Sequence, residues 1–104
     1  MPLSNQDVRR FRAIGHHLKP ILIFGGSGLS DSFIAELDAR LEDHELIKVR
    51  INAQTREDRD AVAQALTEAS GAQIVQRIGN VALLYRAAKK PHPRLSNILR
   101  AQQG

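Results

Sequence analysis

Ile21-Leu22-Ile23-Phe24-Gly25-Gly26-Ser27-Gly28-Leu29-Ser30-Asp31 is the stretch around which the chain can be read. A short apolar run stops at three glycines within four positions, and an amphipathic pattern starts at once. Pro20 to Phe24 reads as a buried strand, closed by glycine. Ser30 reads as an N-cap, with Asp31 favourably placed in the first helical turn. Glycines at such a turn let another molecule approach the backbone closely. A strand, a glycine turn and a helix N-terminus together point backbone N–H groups outward, which suits an anion such as phosphate.

Downstream, Phe33, Ile34, Leu37 and Leu41 mark the apolar side of this helix, and Glu36, Asp38, Glu42 and Asp43 its solvated side. The period then changes. Ile47, Val49 and Ile51 alternate with Leu46, Lys48 and Arg50, which predicts a strand with Lys48 and Arg50 on one face. Val62, Ala65, Leu66 and Ala69 give a further helix, stopped by Ser70-Gly71. Residues 73–78 and 81–86 read as strands joined by Gly79-Asn80, a link that tolerates positive φ. Upstream, Ser4 and Asp7 suit a helix start, and Val8, Phe11, Ile14 and Leu18 recur at helical spacing. That helix is expected over residues 5–17. It carries Arg9, Arg12 and His16 on one side, and Lys19-Pro20 ends it. The expected fold is α+β: a helix, then β-α-β-α-β-β, with a four-stranded mixed sheet and helices packed on it in two layers. Residues 1–87 form the domain, and residues 88–104 read as a mostly loose basic tail, with a helix over 95–101.

A chain of 104 residues accommodates one domain. The absence of cysteine excludes disulfides, thiolate catalysis and thiolate zinc sites. The first residues lack a basic start followed by an apolar core, and no apolar run reaches the roughly 20 residues that span a bilayer. A cytoplasmic protein with no membrane partner is expected. The net charge of +4 is unevenly placed. Four bases face one acid up to residue 19, five bases face ten acids over residues 20–68, and six bases face no acid thereafter. Basic ends folded onto one side would attract a polyanion.

The glycine stretch fits no nucleotide motif. A phosphate-binding Walker loop needs lysine and a hydroxyl after its last glycine, and here Leu29-Ser30 follow Gly28. A dinucleotide fingerprint begun at Gly26-Ser27-Gly28 would place Asp31 at its third glycine, where its charge repels pyrophosphate. What remains is G-x-x-G from Gly25 to Gly28. Beside a basic helix it suits a clamp on a nucleic-acid backbone. His16, His17, His44 and His92 show no ligand spacing, and Ser27, Ser30 and Ser32 have no evident His/Asp partners. No metal, no cofactor and no catalytic residue is expected. Phe11, Phe24 and Phe33 fall at core positions, so recognition through many aromatic platforms is disfavoured.

His17-Leu18-Lys19-Pro20, Gly25-x-x-Gly28-Leu29-Ser30, His44-Glu45-Leu46-Ile47-Lys48-Val49-Arg50 and Ile78-Gly79 with Leu84-Tyr85-Arg86 together resemble the YhbY proteins. These are the stand-alone bacterial form of the CRM domain (chloroplast RNA splicing and ribosome maturation), and the resemblance spans residues 4–87. It implies a fold similar to the C-terminal domain of translation initiation factor three, an RNA-contacting loop at Gly25–Gly28, and association with precursors of the large ribosomal subunit. Many members carry a basic residue inside the loop where this chain has Gly26, so Lys19 and the first helix must supply the charge.

The expectation is a monomeric, non-enzymatic RNA-binding factor in large-subunit assembly. Gly25, Gly26, Ser27, Gly28 and Ser30 would approach a phosphate, and Arg9, Arg12, His16, Lys19, Lys48, Arg50 and Arg86 would supply the surrounding field. The alternative is a protein-interaction module whose acidic helix docks on a basic partner. A phosphoryl-handling enzyme is disfavoured by the missing lysine, metal carboxylates and base.

Overall fold

Three helices begin in the same way, because a hydroxyl stands ready at each start. Ser4 Oγ accepts from Asp7 N at 3.0 Å, Ser30 Oγ from Phe33 N at 3.1 Å, and Thr55 Oγ1 from Asp58 N at 3.0 Å. The structure is a computed structural model that describes residues 3–25 and 28–103. The elements are α1 (Asn5–Gly15), β1 (Pro20–Phe24), α2 (Asp31–His44), β2 (Leu46–Ile51), α3 (Arg56–Ser70), β3 (Gln73–Ile78), β4 (Val81–Tyr85) and α4 (Asn97–Gln103). Gly71 closes α3 in the left-handed region at φ 77°, and Gly79 takes φ 55° in the β3–β4 turn.

The sheet runs β1-β2-β4-β3. β1 is parallel to β2, and the other two pairings are antiparallel. This is the mixed four-stranded sheet expected, but helices cover both of its faces, α2 and α3 on one and α1 and α4 on the other, so the two layers expected are corrected to three. The larger core lies under α2 and α3, where Phe24, Ile47, Val49, Ile51, Ala82 and Leu84 meet Leu37, Leu41 and Leu66. On the other face, Leu46, Val75 and Leu83 meet Phe11 and Ile98. Phe11 also stacks on Tyr85 with ring centroids 4.5 Å apart. Burial of the Tyr85 ring raises its phenol above the ordinary value, so the residue stays neutral and serves the core.

Gly15 sets how far α1 reaches across this second face. A Cβ there would lie 2.5 Å from Leu83 Cδ2, so any larger residue would have to push the buried Leu83 side chain aside for the helix to lie this close to β4. α1 then ends, and the part of the sheet beyond Leu83 stays open. β1 differs from the buried strand expected. Phe24 is buried and Leu22 half-buried on the α2/α3 side, but Ile21 and Ile23 are 42% and 60% exposed. The strand lies at the sheet edge, and neither α1 nor α4 covers its second side.

The segment after β4 also differs from a loose tail. Glu45 is the one non-glycine residue with positive φ among those described, at 64°, and its side chain is buried. Its Oε1 accepts from Ser96 Oγ at 2.6 Å and its Oε2 from Ala88 N at 2.8 Å. Glu42 accepts from the N–H groups of Lys89 and Lys90, both at 3.2 Å, which holds its carboxyl below the ordinary range. Asn97 Nδ2 donates to Leu46 O at 2.7 Å, and Ile98 enters the second core. The helix expected over 95–101 is present two residues later, as α4, docked on α1 and β2.

Candidate nucleic-acid interface

β2 divides the charges of the molecule. Its odd residues are consumed by the core, so Lys48 and Arg50 must project from the α1 side, Lys48 half-buried and Arg50 exposed. Register then fixes their neighbours. Arg50 lies between Ile23 of β1 and Val81 of β4, and Val81 pairs in turn with Ile78 of β3. The preceding row runs from Lys48 to Leu83 and Gln76. Leu83 is the residue that Gly15 covers, so the row containing Arg50 is the first uncovered one.

Lys19, Lys48 and Arg100 line one cleft together with His44, at the start of β1 and beside α4. No carboxylate of the described residues lines it. Arg100 escaped the sequence reading because a loose tail has no fixed place. Its signal was Ile98-Leu99 next to it, an apolar pair able to dock a short helix. From this cleft the strip follows β1 past Ile21 and Ile23 to Gly25, a length of about 13 Å. Arg12 borders the sheet from α1. With the Gln76 amide oxygen turned toward it, its Nε and Nη2 donate at 3.2 and 3.1 Å. Arg9 and His16 lie exposed on the same side of α1 as Arg12.

Gly25 is exposed at the end of β1 and has room for a side chain, since a Cβ would meet only Asn52 Nδ2, at 3.8 Å. Gly28 has φ +151°, a conformation that strains any other residue. Gly26 and Ser27 lie outside the described residues. Ser30 Oγ caps α2 and sits 3.2 Å from Ser32 Oγ.

Arg86 does not join this group. It extends the even positions Ala82 and Leu84, which face α2 and α3. Its Nη1 donates to Asp38 Oδ1 at 2.7 Å and to Ser70 O at 2.9 Å, and its Nη2 to Asp38 O at 3.1 Å. Arg86, expected to supply part of the field for a polyanion, thus lies on the other face of the sheet, where it ties α2, α3 and β4 together. Arg86→Gln should leave RNA affinity within about two-fold, while a urea titration shows a loss of about 1–2 kcal/mol.

Among the described residues no group of three or more His, Cys, Asp or Glu could hold a metal ion. No described helix is long and apolar enough to cross a membrane.

The model of the CRS1/YhbY (CRM) domain matches residues 3–86. The chain belongs to this family. The match takes in everything from the start of α1 to Arg86, and α4 lies beyond it. A relative in Pseudomonas aeruginosa, named a probable RNA-binding protein, is 46% identical over 100 residues, covering 96% of each chain. The probable RNA-binding protein YqeI of Bacillus subtilis is 40% identical over 88 residues, which is 85% of this chain and 92% of YqeI. The solution structure of the hypothetical protein SAV1595 from Staphylococcus aureus has the same fold. It superposes with a TM-score of 0.74 at 32% identity, over 86% of this chain and 93% of that one.

Proposed function

We propose that this CRM protein is a monomeric, cytoplasmic RNA-binding factor, without catalytic activity of its own, that associates with ribosomal RNA in the precursor of the large subunit. The observation that carries the RNA reading is the one-sided strip from Lys19, Arg100 and Lys48 through Arg50 to the Gly25–Gly28 loop. Cations held on a rigid sheet bind a phosphate backbone and make that binding steeply salt-dependent. The names of the relatives support the same reading. The large-subunit target rests on the YhbY resemblance. The module that docks through acidic α2 is less favoured, because Asp38 and Glu42 already pair within the molecule with Arg86 and the Lys89 and Lys90 N–H groups, and Glu36 and Asp43 with Arg40.

In-cell crosslinking with sequencing of the bound RNA, combined with sedimentation of ribosomal particles, tests the target. Large-subunit precursor RNA should be enriched, and recovery of unrelated transcripts alone would refute the assignment. The loop is tested by paired variants. Gly28→Ala and Gly28→Asp should both lose about 1–3 kcal/mol of stability, since both strain the same backbone. Only Gly28→Asp adds a negative charge where phosphate approaches, and its RNA affinity should fall roughly ten-fold below that of Gly28→Ala in filter binding. Equal affinities would remove the loop from the contact surface.

A further inference from the structure

Ile23, Arg50, Val81 and Ile78 occupy one transverse row, one residue from each of the four strands. The row spans three strand spacings, about 14 Å. Ile23 is 60% and Ile78 56% exposed, Val81 is half-buried, and Arg50 stands between them. Strand formation does not explain this. Exposed strand positions are readily filled by threonine or a charged residue, and here isoleucine stands at both ends of an open row. Ile21, at the register shift between Pro20 and Leu22, adds a third exposed isoleucine, lining the cleft with Lys48.

Resting on the RNA-binding reading, we propose that this row seats unpaired bases, and that the RNA this protein selects is single-stranded at the sheet. The charges decide between occupants. Arg50 lies within the row, Lys48 and Gln76 lie in the next, Arg12 donates to Gln76, and neither row holds a carboxylate. Such a surface complements phosphate. It is also too small for a protein partner, because a stable interface buries about 800 Å² on each side, and this strip is one residue wide. Duplex RNA fits poorly. Its base faces are stacked inside, so the isoleucines would meet only sugar and phosphate. An unpaired strand offers both components: bases to lie on Ile23, Val81 and Ile78, and phosphates for Lys48 and Arg50. Aromatic platforms are missing here, so the apolar contact is aliphatic and tolerant of base identity.

The test compares three fluorescent probes: an oligouridine strand, the same strand with abasic riboses over its central part, and a blunt RNA duplex of equal length. Wild-type protein should bind oligouridine roughly ten-fold more tightly than the abasic strand. Ile23→Ser/Ile78→Ser should lose most of that preference while its affinity for the abasic strand and the duplex changes less than about two-fold. Should the serine pair unfold, Ile23→Thr/Ile78→Thr keeps β-branching and should show an intermediate loss. Photo-crosslinking with thiouridine should label the peptides that contain Ile23 or Ile78.

Equal wild-type binding to all three probes would overturn the seating of bases and leave the RNA-binding reading standing. So would an unchanged base preference in the variants, which would leave the row to another partner. Failure of wild-type protein to bind any probe at low salt would overturn both.

Discussion

Lys48→Glu/Arg50→Glu lowers RNA affinity roughly a hundred-fold at moderate salt, and flattens the plot of log affinity against log salt by about 1.4. The slope follows from counting phosphates, because each contact to a single strand contributes about 0.7. The size of the loss follows from the placement of the two residues. Both project from β2, a strand paired on both sides, so neither can swing away to relieve the new repulsion. The change leaves the core intact, since the buried residues of β2 are Leu46, Ile47, Val49 and Ile51. Arg56→Glu is the control. Arg56 opens α3, on the opposite face of the sheet, and a carboxylate in the first turn of a helix is favourable there. Arg50→Glu and Arg56→Glu change net charge equally. If both reduce binding alike in filter assays across a salt series, the protein acts on RNA through its overall charge and the β2 face has no special part.

The two basic residues of β2 were legible because alternation is a local signal. Ile47, Val49 and Ile51 could share only one face, so Lys48 and Arg50 had to share the other. The helix starts at Ser4 and Ser30 and the Gly79-Asn80 turn were equally local. Features made by distant pairing were not. Arg86 looked like one more surface base, and its partner Asp38 lies 48 positions away in α2. Even so, its parity with Ala82 and Leu84 carried the clue that it faces the acidic helices. β3 shifts register between Ile74 and Gln76, which puts Val75 into the second core and turns Gln76 toward Arg12. A count of alternating residues cannot anticipate such a shift. The open row was hidden for a related reason. Ile21 and Ile23 look like core residues in any apolar run, and it is their place on an edge strand, beyond the reach of α1 and α4, that leaves them bare.

The same long-range pairing makes Glu45 an anchor whose removal should cost the fold heavily. Glu45→Ala is expected to destabilise the protein by about 3 kcal/mol in a urea titration, a large part of the 5–15 kcal/mol that holds a domain of this size. The carboxylate accepts one buried hydroxyl, from Ser96, and one backbone N–H, from Ala88. Truncation leaves both donors without this acceptor; the buried Ser96 hydroxyl bears the full cost of an unpaired group, about 1–3 kcal/mol, and the part-buried Ala88 N–H a smaller one. The positive φ of residue 45 does not offset this, since alanine is strained there as glutamate is. Glu45→Gln keeps one acceptor oxygen and should lose about half as much. The damage should be directional. Ser96 caps the chain where α4 begins, donating the Oγ proton to Glu45 while Oγ accepts from Leu99 N at 3.2 Å. Losing the anchor should therefore free residues 88–103 before the sheet opens. Trypsin should then cut first after Lys89 or Arg94, since Pro91 protects the bond after Lys90, and amide exchange should rise in α4 ahead of β2 and β4. RNA affinity should also fall several-fold, because a released α4 withdraws Arg100 from the cleft it shares with Lys19 and Lys48. An unchanged urea midpoint in Glu45→Ala would show that the C-terminal segment is not held by this carboxylate. A lowered midpoint with RNA affinity unchanged would separate the anchor from the contact surface and remove Arg100 from it.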